Sequence, residues 1–153
     1  MTKYHYPAVA VDVIVEKENK LLLIRRKNEP YQYCLAIPGG FVNEGERVED
    51  AATREIREET NLEVEPKNIL GVYSTPHRDP RGHVISVVFI GEIIKGEPKV
   101  GDDADDFEWL SVQELGKKRI AFDHAKILED YQNWKVNNGT YWSSKQIGSQ
   151  AGE

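Results

Sequence analysis

Between Gly40 and Leu62 the chain runs GFVNEGERVEDAATREIREETNL, a stretch that fits one amphipathic helix packed against a larger body. From Arg47 to Thr60 the apolar positions Val48, Ala52 and Ile56 recur every four residues. On a helix they form one stripe that must be buried against another layer. Glu49 and Asp50 fall near the positive end of the helix dipole. Glu55, Glu58 and Glu59 project over adjoining turns of one surface. Three clustered carboxylates repel one another. Hard cations such as Mg²⁺ or Mn²⁺ relieve that repulsion, because they take oxygen ligands and complete their shells with substrate phosphates. A solvated face held by i to i+4 pairs explains the charges alone, but not the apolar entry Ile37-Pro38-Gly39-Gly40, whose backbone is able to approach a ligand closely.

Strand signals surround this helix. Ala8 to Val15 is apolar and β-branched, Glu18-Asn19-Lys20 supplies a turn, and Leu21 to Ile24 completes a hairpin. Cys34 to Ile37 reads as a short strand ending at Pro38-Gly39-Gly40. Leu62 to Val64, Ile69 to Tyr73 and the long run His83 to Ile94 read as further strands, with Ser74 to Gly82 as a turn-rich loop. Gly96 to Asp106 reads as an acidic loop and Glu108 to Leu110 as a short strand. Ser111 to Glu114 is a capping-box helix start. Asp123 is expected to cap a last helix reaching about Asn137, with Ile127, Tyr131 and Trp134 on one face. The expectation is an α/β domain with a mixed sheet over residues 1–137, followed by a flexible polar tail at 138–153, rich in Gly, Ser and Gln.

At 153 residues the chain is one domain of ordinary size. Its net charge of −6 argues against a nucleic-acid partner, whose binding rests on many Lys and Arg contacts to phosphate. A small anionic nucleotide needs only local arginines or a bridging metal. The single cysteine, Cys34, sits in the apolar run Tyr33 to Ile37 and reads as a buried small hydrophobe. The sequence shows no signal-peptide pattern and no membrane-length apolar run, so the expected partners include no membrane and the expected location is cytoplasmic.

The helix segment has Gly40, five residues, Glu46, seven residues, then Arg54-Glu55-Ile56-Arg57-Glu58-Glu59-Thr60-Asn61-Leu62. This pattern resembles the Nudix box, with Asn61 where the family has glycine. Asparagine is the usual non-glycine occupant of a left-handed helix end. The outer motifs Leu35 to Val42, Gly71 to Ser74, Asp79 to His83, Gly101 to Ala104 and Ala121 to Ala125 look like those of small bacterial and archaeal ADP-ribose pyrophosphatases.

The resemblance implies a Nudix-type α/β/α sandwich and metal-dependent hydrolysis of a nucleoside diphosphate derivative, here ADP-ribose to AMP and ribose 5-phosphate. It implies Glu55, Glu58 and Glu59 as metal ligands with the Gly40 carbonyl, Arg54 as their orienting cation, and Glu46 as a brace. The general base stays open between Glu58 and the acidic segment, where Asp106 and Asp103 are the candidates. Arg25, Arg26, Arg78 and Arg81 are candidates for phosphate or ribose contacts, since guanidinium binds phosphate bidentately. Gly39 and Phe41 are candidates for the substrate wall, and Tyr31 and Phe122 are further aromatic candidates for stacking on adenine. His124 reads as structural. Relatives are commonly homodimers, and a homodimer is expected here. The alternatives are a Nudix hydrolase of an oxidised nucleoside triphosphate or dinucleoside polyphosphate, and a non-catalytic ADP-ribose sensor.

Overall fold

The computed structural model describes residues 5–99 and 104–146. Strand β1 (Ala8–Lys17) runs through the middle of the sheet and is followed by β2 (Lys20–Arg26). The two join at Glu18 and Asn19, both at positive φ (52° and 64°), the turn whose twist matches a tight hairpin. Then come β3 (Leu35–Ala36), β4 (Gly39–Phe41), helix α1 (Val48–Thr60), β5 (Glu63–Tyr73) and β6 (Val84–Lys95). The chain continues through β7 (Ala104–Leu110), α2 (Val112–Leu115), α3 (His124–Asn137) and β8 (Tyr141–Trp142). The main sheet path is β3-β2-β1-β6-β5-β8. β1 pairs in parallel with β6, and β5 is antiparallel to β6. The sheet is therefore mixed, as expected.

Side-chain alternation on β1 explains the layers. Val11, Val13 and Val15 join Ala51, Ala52, Ile56 and Leu62, burying the α1 stripe. Ile14 joins Ile127, Leu128 and Tyr131 of α3, together with Leu70, Tyr73 and Val88. One helix thus covers each face, giving an α/β/α sandwich. Cys34 is buried as the sequence suggests.

The outer edge of β1 is divided, and that division makes the site. Ala10 to Asp12 pair with β4, whereas Glu16 and Lys17 pair with β2. At the fork Val13 N–H donates to the Pro38 carbonyl at 2.8 Å. A cleft opens between the two branches.

Four sequence expectations change. The strands Leu62–Val64 and Ile69–Tyr73 are one strand, β5, whose register shifts between Glu63 and Val64, Pro66 and Asn68, and Ile69 and Gly71. These irregularities hide its continuity from a simple alternation test. Asp106 is not in a loop but in β7, which pairs with β2 along Leu21 to Arg26. Asp123 stands at the start of α3 without a side-chain capping bond, because its carboxylate is bound by Arg78. Within the segment expected to be a flexible tail, Tyr141 and Trp142 pair in parallel with Gly71 and Val72, and Tyr141 is buried. Residues 147–153 lie outside the described residues. The Ser111–Glu114 capping box is present in full. Among the described residues no helix is long and apolar enough to cross a membrane.

Candidate active site

Helix α1 ends where the sequence indicates. Asn61 adopts a left-handed conformation (φ 65°, ψ 13°), and its N–H donates to the Arg57 carbonyl. The last two turns therefore hold Glu55, Glu58 and Glu59 at a fixed distance from β4. Glu55 and Glu59 are buried, and Glu58 is exposed.

Arg54 organises this surface. Its Nε and Nη2 make a two-pronged pair with the Glu46 carboxylate at 2.8 and 2.9 Å. Its Nη1 reaches Glu55 at 3.2 Å and Glu58 at 3.0 Å, and Nη2 also donates to the Phe41 carbonyl at 3.0 Å. The hydrogen bonds from Arg54, and next the bond from the Asn43 backbone, hold the Glu46 carboxyl down to about 2. Glu46 thus braces Arg54 and also accepts the Asn43 N–H at 3.0 Å in the loop before α1.

The glycines of β4 pass against the acids. Gly39 N–H donates to Glu59 Oε1 at 2.8 Å. A Cβ on Gly40 would lie 2.2 Å from Glu55 Oε2, so the bare backbone there presses on the carboxylate. The donor set around this point consists of carboxylate and carbonyl oxygens, the chemistry that a hard divalent cation selects. Among the described residues no three acids, histidines or cysteines converge into a preformed cage. A single nitrogen of Arg54 bridges Glu55 and Glu58 instead. The residues fit a divalent ion by kind and placement, with Arg54 holding them in register.

Beside the acids lies a cleft that is partly open to solvent. Its walls include Gly39, Gly40, Phe41 and Glu59 together with Arg26, Arg78, Arg81 and Phe122. The Arg81 guanidinium lies 5.2 Å from the Phe41 ring centre and 5.8 Å from that of Phe122, and it pairs with Asp79. Burial tends to raise the Asp79 pKa, but the Arg81 side chain and backbone N–H outweigh it and the net shift is downward. Arg78 is buried and clamps Asp123 with two bonds of 2.9 and 2.7 Å. Arg26 stands 4.9 Å from the Phe122 ring centre, and its pKa is lowered by burial and then by Arg81. Three guanidinium groups and two aromatic faces are groups able to contact an anionic nucleotide.

Two expected residues are not part of this wall. Arg25 neighbours Arg26 on β2, and alternation sends it to the other face, where it pairs with Glu108 and donates to the Tyr33 carbonyl at 2.9 Å. Asp106 lies opposite Arg25 in the strand register, exposed, and accepts from the Phe107 N–H. Phe107 packs inward, so Asp106 cannot also face the cleft. Asp103 lies outside the described residues. Tyr31 packs on Phe122 at 4.8 Å.

Sequence reasoning did not select Asp12, Asp79 or His124, all of which line the cleft. Asp12 had a usable signal. It is a lone carboxylate inside an apolar β-branched run, and a buried charge there requires a reason.

A family model described as the NUDIX domain matches residues 6–131. The chain belongs to the Nudix family. It is 59% identical over 132 residues to an ADP-ribose pyrophosphatase of Methanocaldococcus jannaschii, covering 86% of this chain and 77% of the relative. Among solved structures, a MutT/nudix family protein from Enterococcus faecalis is similar at TM-score 0.78 and 33% identity, covering 90% of this chain and 65% of that one. A NUDIX hydrolase from Nitrosomonas europaea is similar at TM-score 0.80 and 27% identity, covering 92% and 80%. The Nudix assignment accounts for the conjunction of an acid-rich helix end, a glycine strand and an adjoining cleft. Nudix hydrolases generally use divalent metal ions, in keeping with the oxygen donors at this site.

Proposed function

We propose that this Nudix protein hydrolyses the diphosphate of ADP-ribose, giving AMP and ribose 5-phosphate, with Mg²⁺ or Mn²⁺ as cofactor. The observation that carries the reading is the juxtaposition in one cleft of Glu59 and the Gly39-Gly40 backbone with three arginines and two aromatic rings. Oxygen donors suited to a metal thus adjoin cations and π faces suited to a nucleotide. The 59% identity to a relative named for this activity supports the choice of ADP-ribose.

In this reading Glu55, Glu58, Glu59 and the Gly40 carbonyl hold the metal, which when bound supplies charge neutralisation of the diphosphate and acidification of the attacking water. Arg54 holds Glu55 and Glu58 in place through three-way pairing with Glu46. Arg26, Arg78 and Arg81 orient the phosphates, while Phe41 and Gly39 form the wall beside them. Water adds to one phosphorus, the bridging P–O bond breaks, and the leaving phosphate takes the electron pair. Glu58, exposed at the helix edge, is the proton acceptor that the arrangement favours over Asp106, which faces away.

The catalytic unit in this reading extends through β8, which completes the sheet beside β5, and the protein acts in the cytoplasm as a homodimer. The exposed Trp142 on edge strand β8 supports the dimer. Chromatographic identification of AMP and ribose 5-phosphate from ADP-ribose, with Mg²⁺ and after chelation, tests the activity. Absence of both products with metal present would overturn it.

A further inference from the structure

The floor of the cleft carries a donor and an acceptor that the reaction above does not use. Asp12, on β1, is only 7% exposed, and its Oδ2 accepts from the hydroxyl of the buried Ser86. Its Oδ1 stands 3.8 Å from Nε2 of His124, beyond hydrogen-bond reach. His124 is itself 4% exposed, and its Nδ1 accepts the Ile37 N–H at 3.0 Å. Burial holds its pKa below the usual value, so the ring is neutral. With Nδ1 engaged as an acceptor, the one ring proton sits on Nε2.

Nε2–H and Oδ1 therefore form a donor and acceptor pair on the cleft wall. Gly39 keeps it open, since a Cβ there would lie 2.6 Å from Asp12 Oδ1. An oxygen at ~2.8 Å from both atoms would subtend roughly 85° between them, a geometry that one hydroxyl can satisfy by accepting from Nε2 and donating to Oδ1. A phosphate oxygen cannot donate and would meet the carboxylate charge. An ammonium cannot accept from Nε2. The pair selects a neutral group that does both.

We propose that Asp12 and His124 read a ribose hydroxyl of the substrate, making them specificity-determining residues at the cleft floor. The inference takes its substrate from the hydrolase reading above. Two hydroxyl sources exist, the terminal ribose and the adenosine ribose.

The test compares kcat/KM for ADP-ribose with that for two analogues, one deoxygenated on the terminal ribose and one on the adenosine ribose, in wild type and Asp12→Ala. The expected result is a fall of about ten- to hundredfold for ADP-ribose in the variant, the scale of a bond to a charged group. For the analogue lacking the hydroxyl that is read, the same substitution should change kcat/KM by less than about threefold, well under one such bond. Equal losses on all three substrates would overturn the inference.

His124→Asn and His124→Gln give a second arm that does not depend on how Asp12→Ala folds. Asparagine places an acceptor near the Nδ1 position and keeps the Ile37 bond, whereas glutamine places a donor near the Nε2 position. Hydroxyl recognition predicts more activity in His124→Gln, and a purely structural clamp on Ile37 predicts more in His124→Asn. If wild type leaves ADP-ribose intact, the proposed function fails separately. The same comparison then runs on whichever ribonucleotide is cleaved and its deoxy counterpart, where equal losses again overturn the inference. Cleavage of no nucleotide overturns both.

Discussion

Substituting Gly39 by alanine should unfold part of the site, and the structure sets the scale. Gly39 is the Cα partner of Asp12 in the β1–β4 ladder. A Cβ there would come 2.0 Å from the Val11 carbonyl oxygen and 2.8 Å from the Asp12 Cα, both backbone atoms. Carbon and carbonyl oxygen rest no closer than about 3.3 Å, so β4 would have to withdraw by more than an ångström. Withdrawal strains the packing, at about 1–3 kcal/mol. It also breaks the bond from Gly39 N–H to the buried Glu59 carboxylate, a charge-assisted contact of about 1.5–3 kcal/mol. The combined loss of about 2.5–6 kcal/mol corresponds to a drop of roughly 5–24 °C in melting temperature for a domain of this length. Gly40→Ala is the milder comparison, because the nearest atoms its Cβ meets belong to the end of the Glu55 side chain rather than to backbone. Thermal melts by circular dichroism should therefore separate the two variants widely. A Gly39→Ala protein melting within about 2 °C of wild type, less than a single kcal/mol implies, would refute the reasoning.

Glu59→Gln should lower kcat by about a hundredfold or more while the melting temperature holds, since the amide oxygen still accepts from Gly39 N–H; near-normal turnover would remove Glu59 from the metal site. Asn61→Gly should be neutral within about 0.5 kcal/mol and Asn61→Val should cost about 1–2 kcal/mol in denaturant unfolding, because only the latter resists the left-handed conformation. Arg25→Ala should leave kcat/KM within about twofold, whereas Arg26→Ala should raise KM about tenfold or more, reflecting their opposite faces on β2. The His124 pKa is lowered below 6.5 on folding, so the unfolded chain binds the proton more readily, and stability attributable to neutral His124 is lost as pH falls below 6.5. Unfolding free energies measured from pH 7 to pH 5 should decline less in His124→Gln than in wild type, and parallel declines would contradict this.

Much of the fold was legible because periodicity and turn chemistry agreed. The α1 stripe, the Glu18-Asn19 hairpin turn, the Ser111–Glu114 capping box and the left-handed Asn61 all follow from local rules. What escaped depends on contacts distant in sequence. The Asp123 carboxylate is drawn to Arg78, 45 residues away, rather than to its own helix end. Tyr141 and Trp142 become a strand only because β5 offers an edge. The site divides in the same way. Arg54, Glu55, Glu58 and Glu59 share one helix, so spacing placed them. Asp12, Ser86 and His124 meet from β1, β6 and α3, and no local pattern joins them. Arg25 and Arg26 are adjacent in sequence, and only the strand's alternation assigns one to the cleft and the other to Glu108.

The most direct measurement is kcat/KM with Mg²⁺ across ADP-ribose, 8-oxo-dGTP, diadenosine polyphosphates and NADH, each followed by phosphate release after phosphatase coupling. ADP-ribose should be preferred, and Glu59→Gln should lower the signal about a hundredfold or more for every substrate. A nucleoside triphosphate exceeding ADP-ribose by about tenfold, well over 1 kcal/mol of preference, would contradict the substrate assignment.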